Sequence, residues 1–329
     1  MHTHVAAMIL ASIPSPSNNQ LELFGLRITF YGLFIGIGIA AAVVVATRRY
    51  RNYGGDPRVV ERIALWAVIA GLIGARAGWV VTHTGQLDNI IDVFAIWQGG
   101  LAFYGAILFG GVTAILLAWR MRTPIPMFAD AAAVGIPLAQ AIGRWGNYAN
   151  QELYGYPTSL PWGLEIDPLH RVAGYEAFET FHPTFLYESL WNLAIVAALI
   201  LVDRMRVLKR GNLILLYLML VSFGRFFWEQ LRLDTTFRVF GVSRNGWISV
   251  GVFVAAGIWL FIRQRNAALE TWEGVTPWVD DDLRNDDAKN KRDRSDPGGN
   301  SNKDGPETAT SVAGEDAGNE ADATSAKRS

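Results

Sequence analysis

Seven long apolar segments follow one another along the chain, and polar connections separate them. Each segment is close to the length that an α-helix needs to cross the roughly 30 Å hydrocarbon core of a bilayer. Because the apolar runs are continuous rather than alternating, they do not fit the strands of a transmembrane barrel. The sequence therefore predicts an all-α integral membrane protein with about seven transmembrane helices. The segments are 28–47, 63–81, 101–119, 127–142, 185–202, 213–228 and 246–262.

Basic residues cluster on alternate connections between these segments. They follow spans one, three, five and seven, whereas the connection 82–98 contains neither lysine nor arginine. Because Lys and Arg concentrate in cytoplasmic loops, the N-terminus is predicted outside and the C-terminus in the cytoplasm, with a long outer loop between spans four and five. The basic residues are Arg48, Arg49, Arg51, Arg120, Arg122, Arg204, Arg206, Lys209, Arg210, Arg263 and Arg265.

The composition changes sharply near residue 266. The 329-residue chain is 51% hydrophobic and 18% charged, against about a quarter charged in soluble domains. After residue 266, Asp, Asn, Gly, Ser, Lys and Thr prevail, and such a segment cannot bury enough apolar surface to offset its chain entropy. The sequence therefore predicts a transmembrane domain over 1–265 and a disordered cytoplasmic tail over 266–329.

The chain contains no cysteine. This excludes disulfides, thiolate metal sites and a cysteine nucleophile, so any thiol chemistry requires a thiol that arrives on a substrate. With only five histidines and no carboxylate-rich cluster in the spans to hold magnesium, we expect neither a metal nor another cofactor. No nucleic-acid partner is expected.

Several ionisable residues lie inside the apolar spans, where a charge is costly and usually marks a site or a pathway. Arg76 lies late in span two, and Glu188 opens span five. On span six, Arg225, Glu229 and Arg232 are spaced i, i+4 and i+7, so they share one helix face. With the predicted orientation, all these groups lie near the outer membrane surface.

Some of these charges also have simpler explanations. Arg225 and Glu229 could form a purely structural pair, and Arg76 could extend to the outer headgroups. The stretch from Arg144 to Gly155 has no such explanation. Its glycines, amides, arginine and glutamate would be expensive at membrane depth unless they line a cavity.

Arginine suits phosphate, because its planar fork matches two phosphate oxygens. Arg144 and Arg232 could therefore clamp one phosphodiester from two helices, and a phospholipid headgroup at the outer leaflet is the obvious ligand. The spans contain neither a Gly-x-Ser-x-Gly motif nor a Ser/His/Asp arrangement. The remaining mechanism uses cations to stabilise a phosphate leaving group and one base to activate the acceptor.

The polar stretch at the end of span four resembles a known family motif. Its residues 143–155 match every fixed position of Gly-Arg-x-Gly-Asn-aromatic-x-Asn-x-Glu-x-x-Gly, the pattern of bacterial phosphatidylglycerol–prolipoprotein diacylglyceryl transferases. Shorter segments agree with that family in the same order, so the resemblance covers about residues 12–265. These segments are 13–16, 30–33, 74–76, 99–105, 182–188 and 225–232.

The resemblance implies an enzyme that moves the diacylglyceryl group of phosphatidylglycerol onto the lipobox cysteine thiol of a preprolipoprotein. The reaction forms a thioether and releases glycerol 1-phosphate. The partners implied are phosphatidylglycerol, the signal peptide with its lipobox cysteine, and membrane lipids. The implied location is the bacterial cell (cytoplasmic) membrane, as a multi-pass protein with 1–265 as its catalytic domain. A nucleophile supplied by the substrate also explains why the chain itself lacks cysteine.

The resemblance and the polar pattern together identify the candidate site residues. By resemblance, Arg232 contacts the phosphate, Glu229 orients or pairs with it, and Tyr31 occupies a position that matters for activity. The catalytic candidates are Arg144, Asn147, Glu152, Arg232 and Tyr104. The substrate-binding candidates are Arg144, Arg232, Glu229, Tyr31, Asn150, Gly155, Arg76 and His182.

Tyr104 departs from the family pattern, since some members have histidine there and that histidine has been considered a general base. A phenol, with an ordinary pKa of about 10, is a poor base at neutral pH unless a nearby arginine lowers that pKa. We hypothesise that Tyr104 orients lipid or thiol, while Glu152 or the substrate phosphate accepts the proton. His182 is a weaker candidate, because its His-Pro setting favours a role in shaping the loop into span five.

Two other functions are compatible with charged groups inside a helical membrane protein. One is a transporter for lipids or anionic solutes, which would need a pathway open to both faces. The clustering of the charges at the outer side argues against it. The other is a catalytically inactive relative that binds lipid and assists lipoprotein sorting, against which the intact motif argues.

Overall fold

Seven α-helices carry the seven apolar segments in the computed structural model of the chain. The structure describes residues 12–23, 26–87, 89–95, 100–234 and 238–279. By its contacts the chain divides into two units, Met1–Val279 and Asp280–Ser329, and every described residue belongs to the first. The helices are α1 (Phe30–Asn52), α2 (Pro57–Thr82), α3 (Phe103–Arg120), α4 (Ile125–Ala149), α5 (Thr184–Arg204), α6 (Leu213–Leu231) and α7 (Arg244–Arg265).

Six helices in the described part of the chain are long and apolar enough to cross a membrane. The exception is α3, in which the apolar helix over Tyr104–Arg120 is shorter than the other six. The helical membrane class predicted from the sequence is confirmed. The number of spans and their direction stay predictions.

Large apolar side chains cover the outer faces of the helices. Ile73, Ile107, Trp119 and Ile258 are each more than half exposed. Soluble proteins rarely expose contiguous apolar surface of this kind, because its hydration is unfavourable. The same faces are favourable against lipid tails, which supports a membrane protein.

The helix ends follow the charge pattern of the sequence. Basic residues occupy the last turns of α1, α3, α5 and α7, where they interact favourably with the negative end of the helix dipole. The last turns of α2, α4 and α6 contain none. Arg49 of α1 pairs with Asp203 of α5 at 3.2 Å, and Arg263 of α7 donates to Asn212 before α6 at 3.0 Å. We call the end where these residues meet the basic end and the opposite one the site end.

Helices α1 and α4 pack closely and run antiparallel along their length. A Cβ atom added to Gly135 would lie 2.6 Å from the carbonyl oxygen of Ala42, and one added to Gly38 would lie 2.9 Å from that of Ala139. Nearer the site end, Gly146 faces the ring of Tyr31 in the same way. Small residues thus allow the two backbones to approach, as is common between membrane helices.

A buried carboxylate joins α4 to α6 at the basic end. Asp130 of α4 is fully buried and accepts hydrogen bonds from the backbone N–H groups of Gly211, Leu213 and Ile214 at 2.6, 3.0 and 3.2 Å. These groups lie at the start of α6, where they have no partners within the helix. Asp130 also accepts from Trp272 Nε1 at 3.0 Å. Asp130 of α4 therefore caps the start of another helix, α6.

Residues 266–279, which composition assigned to the tail, pack against the helices. Trp272 is buried and stacks on Tyr53, with ring centroids 4.3 Å apart. The Trp278 backbone N–H donates to the carbonyl of Arg51 at 2.9 Å, and Arg210 forms an ion pair with Glu270 at 3.1 Å. The rest of the predicted tail lies outside the described residues. The division into 1–265 and 266–329 stays a prediction. The contacts of Glu270, Trp272 and Trp278 show that the first residues after 265 pack on the helices.

The long connection between α4 and α5 folds into a compact cap at the site end. Its strands β3 (Leu164–Glu165) and β4 (Thr180–Phe181) pair antiparallel, and residue 13 pairs with Leu164. Two further short pairs are β1 (Gln20–Leu23) with β2 (Leu26–Thr29), and β5 (Arg238–Val239) with β6 (Val242–Ser243). The cap encloses its own apolar cluster, consisting of Tyr154, Leu164, Ile166, Phe181 and Phe185.

We predict that Asp130→Ala strongly destabilises the protein. The change leaves four N–H donors in a dry interior without their acceptor, and we expect a loss of about 3–5 kcal/mol. Thermal unfolding of the purified protein in detergent measures the effect. Glu61→Ala, which removes an exposed carboxylate of α2, is the matched control. Equal unfolding temperatures for the two variants would contradict the capping role.

Candidate active site

The motif 143–155 spans the end of α4 and the turn that follows. Arg144 Nη1 donates to Asn147 Oδ1 at 3.2 Å, and Asn147 Nδ2 donates to Glu152 Oε1 at 2.7 Å. On its other side, the Arg144 guanidinium forms an ion pair with Glu188 of α5. A continuous polar chain therefore leads from Glu188 through Arg144 and Asn147 to Glu152. It links α4 to α5 and connects three residues of the motif to Glu188, which lies in another segment of the sequence.

Glu152 stands at the open end of this chain. Its Oε1 atom also accepts from Asn150 Nδ2 at 3.4 Å, so both asparagines of the motif donate to the same carboxylate oxygen. Its other oxygen, Oε2, has no hydrogen bond to any described residue. The residue itself is exposed. Glu152 is thus held in place by one oxygen and can accept a proton or a hydrogen bond with the other.

The turn after α4 contains unusual backbone angles. Gln151 and Leu153 have φ angles of 52° and 59°, in the left-handed region that non-glycine residues rarely adopt. Hydrogen bonds hold the turn in this shape: Gln151 Nε2 donates to Asp167 at 2.5 Å, and Gln151 Oε1 accepts from the Asp167 backbone at 2.8 Å. The hydrogen bonds from Gln151 and Ser15 lower the pKa of Asp167. Such strain persists only where the surroundings enforce it, and it often occurs at functional sites.

Gly155 sits where three segments meet. Its N–H donates to the His182 carbonyl at 3.0 Å, and the next N–H, of Tyr156, donates to the Leu231 carbonyl at 2.9 Å. A Cβ atom at this position would lie 2.8 Å from His182 Cβ and 2.9 Å from the Leu231 oxygen. The motif therefore requires glycine here, because its backbone ties the start of α5 to the end of α6.

The face of α6 that the sequence singled out surrounds a buried acid. The side chain of Glu229 is 1% exposed, and it lies 3.9 Å from Arg225 and 3.7 Å from Arg232. Arg232 also forms a two-pronged contact with Asp234, at 2.8 and 2.5 Å. Arg225 is 39% exposed, and the pair with Glu229 is its one ion pair to a described residue. Of the two arginines, Arg225 has more donors uncommitted.

The motif and the α6 face form one site. Arg225, Arg232 and Tyr31 all lie within electrostatic range of Arg144, and Arg232 lies within the same range of Glu188. Tyr31 belongs to the first turn of α1 and packs on Gly146. Gly146 lies in the last turn of α4, which ends at Ala149. Three arginines from the α4 and α6 segments are thus gathered around buried carboxylates.

Tyr104 lies at the start of α3 and is 66% exposed. Its hydroxyl donates to Asn245 Oδ1 of α7 at 3.5 Å. Asn245 Nδ2 donates to Glu229 Oε1 at 2.9 Å. Tyr104 is therefore connected to the α6 face through one amide.

Arg76 belongs to a separate arrangement. Its guanidinium donates to the backbone carbonyls of Val93 and Gly100 at 3.0 and 3.1 Å and to that of Asp92, and it lies 4.6 Å from the ring centroid of Trp79. These contacts anchor the connection between α2 and α3. The predicted role of Arg76 in substrate binding stays a prediction, and its described contacts are not with the site cluster.

His182 lies beside an aromatic group at the start of α5. Its Nδ1 atom is 3.3 Å from the Tyr187 hydroxyl, which accepts from Trp162 Nε1 at 2.9 Å. Burial lowers the pKa of His182, so the imidazole is neutral at pH 7. Nearby, an apolar groove of about 480 Å³ is lined by Trp162, Leu186, Tyr187, Leu190 and Trp228.

Four residues of the site were not among the sequence candidates: Glu188, Arg225, Asp234 and Asn245. Arg225 was considered only as a structural partner of Glu229. Glu188 was visible as a charge inside a span, and that signal would have sufficed to pair it with an arginine. Asp234 and Asn245 gave no such signal, because both lie at helix ends where polar residues are ordinary. The role of Asn245 depends on which helices the fold brings together, and that of Asp234 on the turn that the chain makes after α6.

Comparison with known proteins agrees with the geometry. A family model described as prolipoprotein diacylglyceryl transferase matches residues 19–263. Three relatives carry the name phosphatidylglycerol–prolipoprotein diacylglyceryl transferase. The one from Frankia alni is 48% identical over 262 residues, covering 78% of this chain and 69% of its own. One from Streptomyces coelicolor is 45% identical over 253 residues, covering 76% and 80%. The one from Cutibacterium acnes is 45% identical over 258 residues, covering 77% and 87%.

The matched region contains both halves of the site, the motif at the end of α4 and the charged face of α6. The sequence resemblance carried by residues 143–155 is thereby confirmed over most of the helical unit. The chain belongs to the prolipoprotein diacylglyceryl transferase family.

Proposed function

We propose that this chain transfers the diacylglyceryl group of phosphatidylglycerol to the lipobox cysteine thiol of preprolipoproteins. The observation that carries the proposal is the convergence of Arg144 with Arg225 and Arg232 from α6 around buried carboxylates. Guanidinium groups arranged in this way suit a phosphate that gains charge as a leaving group. The substrates named in the relatives are a phosphate-bearing lipid and a protein that receives its diacylglyceryl part.

The proposed reaction exchanges one bond for another. The cysteine sulfur forms a bond to the terminal glycerol carbon of the diacylglyceryl group, and the bond from that carbon to the phosphate oxygen breaks. The electron pair of the broken bond leaves with glycerol 1-phosphate, and the thiol proton passes to a base. The arginines stabilise the charge that develops on the departing phosphate. No covalent intermediate with the enzyme is needed.

The contacts distinguish the roles of the arginines. Arg232 is committed to Asp234 and Glu229, whereas Arg225 has a single long ion pair and a partly exposed guanidinium. The proposed phosphate clamp therefore consists of Arg144 and Arg225. In this arrangement Arg232 balances the charge of Glu229. The assignment of the phosphate contact to Arg232, which the sequence resemblance implied, is the alternative.

Glu152 is the proposed acceptor of the thiol proton. The two asparagines of the motif hold one of its carboxylate oxygens and leave the other open. Tyr104 contacts the neutral amide of Asn245, and we assign it an orienting role for lipid or thiol. The substrate phosphate remains the second candidate for the proton.

The apolar groove beside His182 suits an acyl chain of the lipid. Its lining is almost entirely apolar, and Trp228 shares the face of α6 that carries Arg225, because residues three apart are neighbours on a helix. A lipid whose phosphate rests between Arg144 and Arg225 could extend one chain along α5. His182 and Tyr187 would then border the lipid near its headgroup.

The proposed location is the bacterial cell membrane, with the site end facing outward. The alternation of basic residues in the last turns of α1, α3, α5 and α7 supports this direction. In that orientation the site lies level with the outer leaflet headgroups, where a secreted protein's signal peptide emerges. Residues 1–265 would form the membrane catalytic domain.

We predict that Arg144→Ala abolishes measurable transfer, with kcat/KM falling by about 1,000-fold or more, because the change removes a phosphate donor and leaves Glu188 unpaired. Purified protein is supplied with phosphatidylglycerol vesicles and a lipobox peptide, and the peptide mass is measured. Arg120→Ala, at an exposed position of the basic end, is the control and should transfer normally. Undiminished product from Arg144→Ala would overturn the catalytic proposal.

We predict different effects of lysine at positions 225 and 232. Arg225→Lys should lower kcat/KM for phosphatidylglycerol by about 100-fold, because a point charge replaces a planar fork. Arg232→Lys should lower it by only about tenfold and also reduce thermal stability, because the two-pronged contact with Asp234 is lost. Steady-state kinetics with varied lipid, together with unfolding curves, measure both. The opposite order of activities would assign the phosphate to Arg232.

We predict that Tyr104→Phe lowers kcat/KM by only about tenfold. An orienting hydroxyl contributes about one hydrogen bond, whereas loss of a general base typically costs a factor of 10² to 10⁴. The same transfer assay measures the ratio, and a thermal unfolding curve checks that the variant folds. A loss of about 100-fold or more would mean that the phenol is the base.

A further inference from the structure

A short hairpin precedes α7 at the site end and carries an exposed aromatic residue at its tip. Strands β5 and β6 pair with Val239 opposite Val242, so Phe240 and Gly241 form a two-residue loop. The Phe240 side chain is 94% exposed, although phenylalanine is among the residues most often buried in folded proteins. Neither the motif at the end of α4 nor the charged face of α6 includes this ring.

The backbone of this loop favours residues other than phenylalanine. Phe240 and Gly241 have φ angles of 51° and 76°, both in the left-handed region. Two-residue hairpin loops with this backbone prefer Asn-Gly, Asp-Gly or Gly-Gly, because a bulky side chain is rarely tolerated there. The turn therefore does not explain the phenylalanine, and neither does packing, since the ring is exposed. A contact outside the chain accounts for it.

The hairpin is held against the first turn of α7. Trp247 Nε1 donates to the Val239 carbonyl at 3.1 Å, and a Cβ atom added to Gly246 would lie 2.7 Å from Val242 Cγ1. Trp247 is exposed, and so is Ile258 further along the helix. The hairpin therefore adjoins the exposed apolar surface of α7, which faces lipid in a membrane protein.

The length of α7 places the hairpin at the boundary between lipid tails and headgroups. Its 22 residues span about 33 Å, close to the thickness of the hydrocarbon core. The basic residues Arg263 and Arg265 lie in the last turn of this helix, and Arg244 begins it. Trp247 lies in the first turn, as expected for a residue type that is enriched at this boundary.

A positive charge stands beside the hairpin. Arg244 directly follows β6, is exposed, and forms no ion pair with a described residue. A guanidinium at this depth suits the phosphate of a lipid headgroup, and anionic lipids attract basic residues more strongly than neutral ones do. The chemistry of the hairpin and its flank therefore matches an anionic phospholipid, with an apolar tip for the tails and a cation for the headgroup.

The sequence repeats the feature at another hairpin of the site end. Strands β1 and β2 precede α1, and Phe24 and Gly25 join them in the sequence. These two residues lie outside the described part of the chain. In the strands themselves, Leu21 and its cross-strand partner Ile28 are exposed. Two helices that begin at the site end thus follow a hairpin with a Phe-Gly connection and exposed apolar side chains.

We propose that the β5–β6 hairpin is a membrane anchor, whose tip residue Phe240 inserts among anionic phospholipids of the leaflet at the site end, with Arg244 on their phosphates. Insertion removes the apolar ring from water. The inference rests on the membrane class of the protein and not on the proposed transfer reaction. Arg238 donates to Gln230 Oε1 at 3.2 Å and to the Arg232 carbonyl at 3.4 Å, so the anchor also fixes the depth of the end of α6.

A spin label measures the depth of the hairpin. Because the chain has no cysteine, Val239→Cys creates a single labelling site beside an intact Phe240. The labelled protein is placed in vesicles of phosphatidylcholine and phosphatidylglycerol, and EPR power saturation compares collisions with oxygen and with a water-soluble nickel chelate. Glu179→Cys, at an exposed position of the cap, is the aqueous reference, and Ile258→Cys is the lipid-facing reference.

The oxygen-to-nickel collision ratio at position 239 should exceed that at position 179 by about threefold or more, because insertion by about 5–10 Å removes the label from the chelate. A ratio equal to that at position 179 would overturn the proposal. The measurement requires no transfer of a diacylglyceryl group, so its failure and that of the proposed function are distinguishable.

Two substitutions at the tip separate the ring from the turn. In the Val239→Cys chain, Phe240→Asn should bring the collision ratio to within about 1.5-fold of the aqueous reference, because Asn-Gly keeps the turn and removes the apolar tip. Phe240→Leu, which keeps an apolar tip, is the matched control and should retain the ratio. An unchanged ratio in Phe240→Asn would contradict insertion of the ring.

The composition of the vesicles tests the kind of partner. In phosphatidylcholine alone, the collision ratio at position 239 should fall by about half, and Arg244→Gln should abolish the difference between the two lipids. Equal ratios for the unsubstituted Arg244 chain in both lipids would refute the assignment to anionic phospholipid. A ratio that rises only when a lipobox peptide is added would identify a peptide contact instead and overturn the proposal.

Discussion

The pairing of buried charges governs the arrangement of the site end. Glu188 and Glu229 are carboxylates inside helices that face hydrocarbon, and an isolated charge there would cost several kcal/mol. Each is paired with arginine. Glu188 pairs with Arg144 of α4, and Glu229 pairs with Arg225 and Arg232 of its own segment. The pair of Glu188 with Arg144 joins α5 to α4, so these two helices pack where the charges meet, whereas the pairs of Glu229 lie along α6 itself. The requirement to satisfy the acids thus shapes the space in which a phosphate can bind.

The motif at the end of α4 shapes the site through its backbone as well as its side chains. The chain leaves the helix through two left-handed residues, and Gly155 then runs between the start of α5 and the end of α6. Only glycine fits at that crossing, since a Cβ atom would meet the His182 side chain and a backbone oxygen. The glutamate and asparagines of the motif are presented from a segment that is held on both sides. Strain in the turn is offset by the bonds that tie Gln151 to the cap.

The two ends of the helical unit serve different purposes. At the basic end Asp130 caps α6 and anchors Trp272, and these contacts fix where α4 and α6 begin. At the site end the same two helices carry Arg144 and Arg225, whose spacing decides what they can bind. The acid at the basic end is fully satisfied by N–H donors, whereas the arginines at the site end retain donors for a ligand. The polar groups described at the basic end are paired within the protein, whereas those at the site end can also bind a substrate.

The sequence by itself determined the helical membrane class, the alternation of basic ends and the motif with its family. These follow from local composition and spacing, because a span needs only apolar length and a motif needs only its residue order. Sequence spacing also placed Arg225, Glu229 and Arg232 on one face. It could not show that Arg76 turns to loop carbonyls, that Asp234 engages Arg232, or that Asn245 joins Tyr104 to Glu229. The contact of Asp234 with Arg232 depends on the turn after α6, and the others join residues from different helices or loops. Only the tertiary structure decided them, because the packing of the helices sets which polar groups come within hydrogen-bond reach.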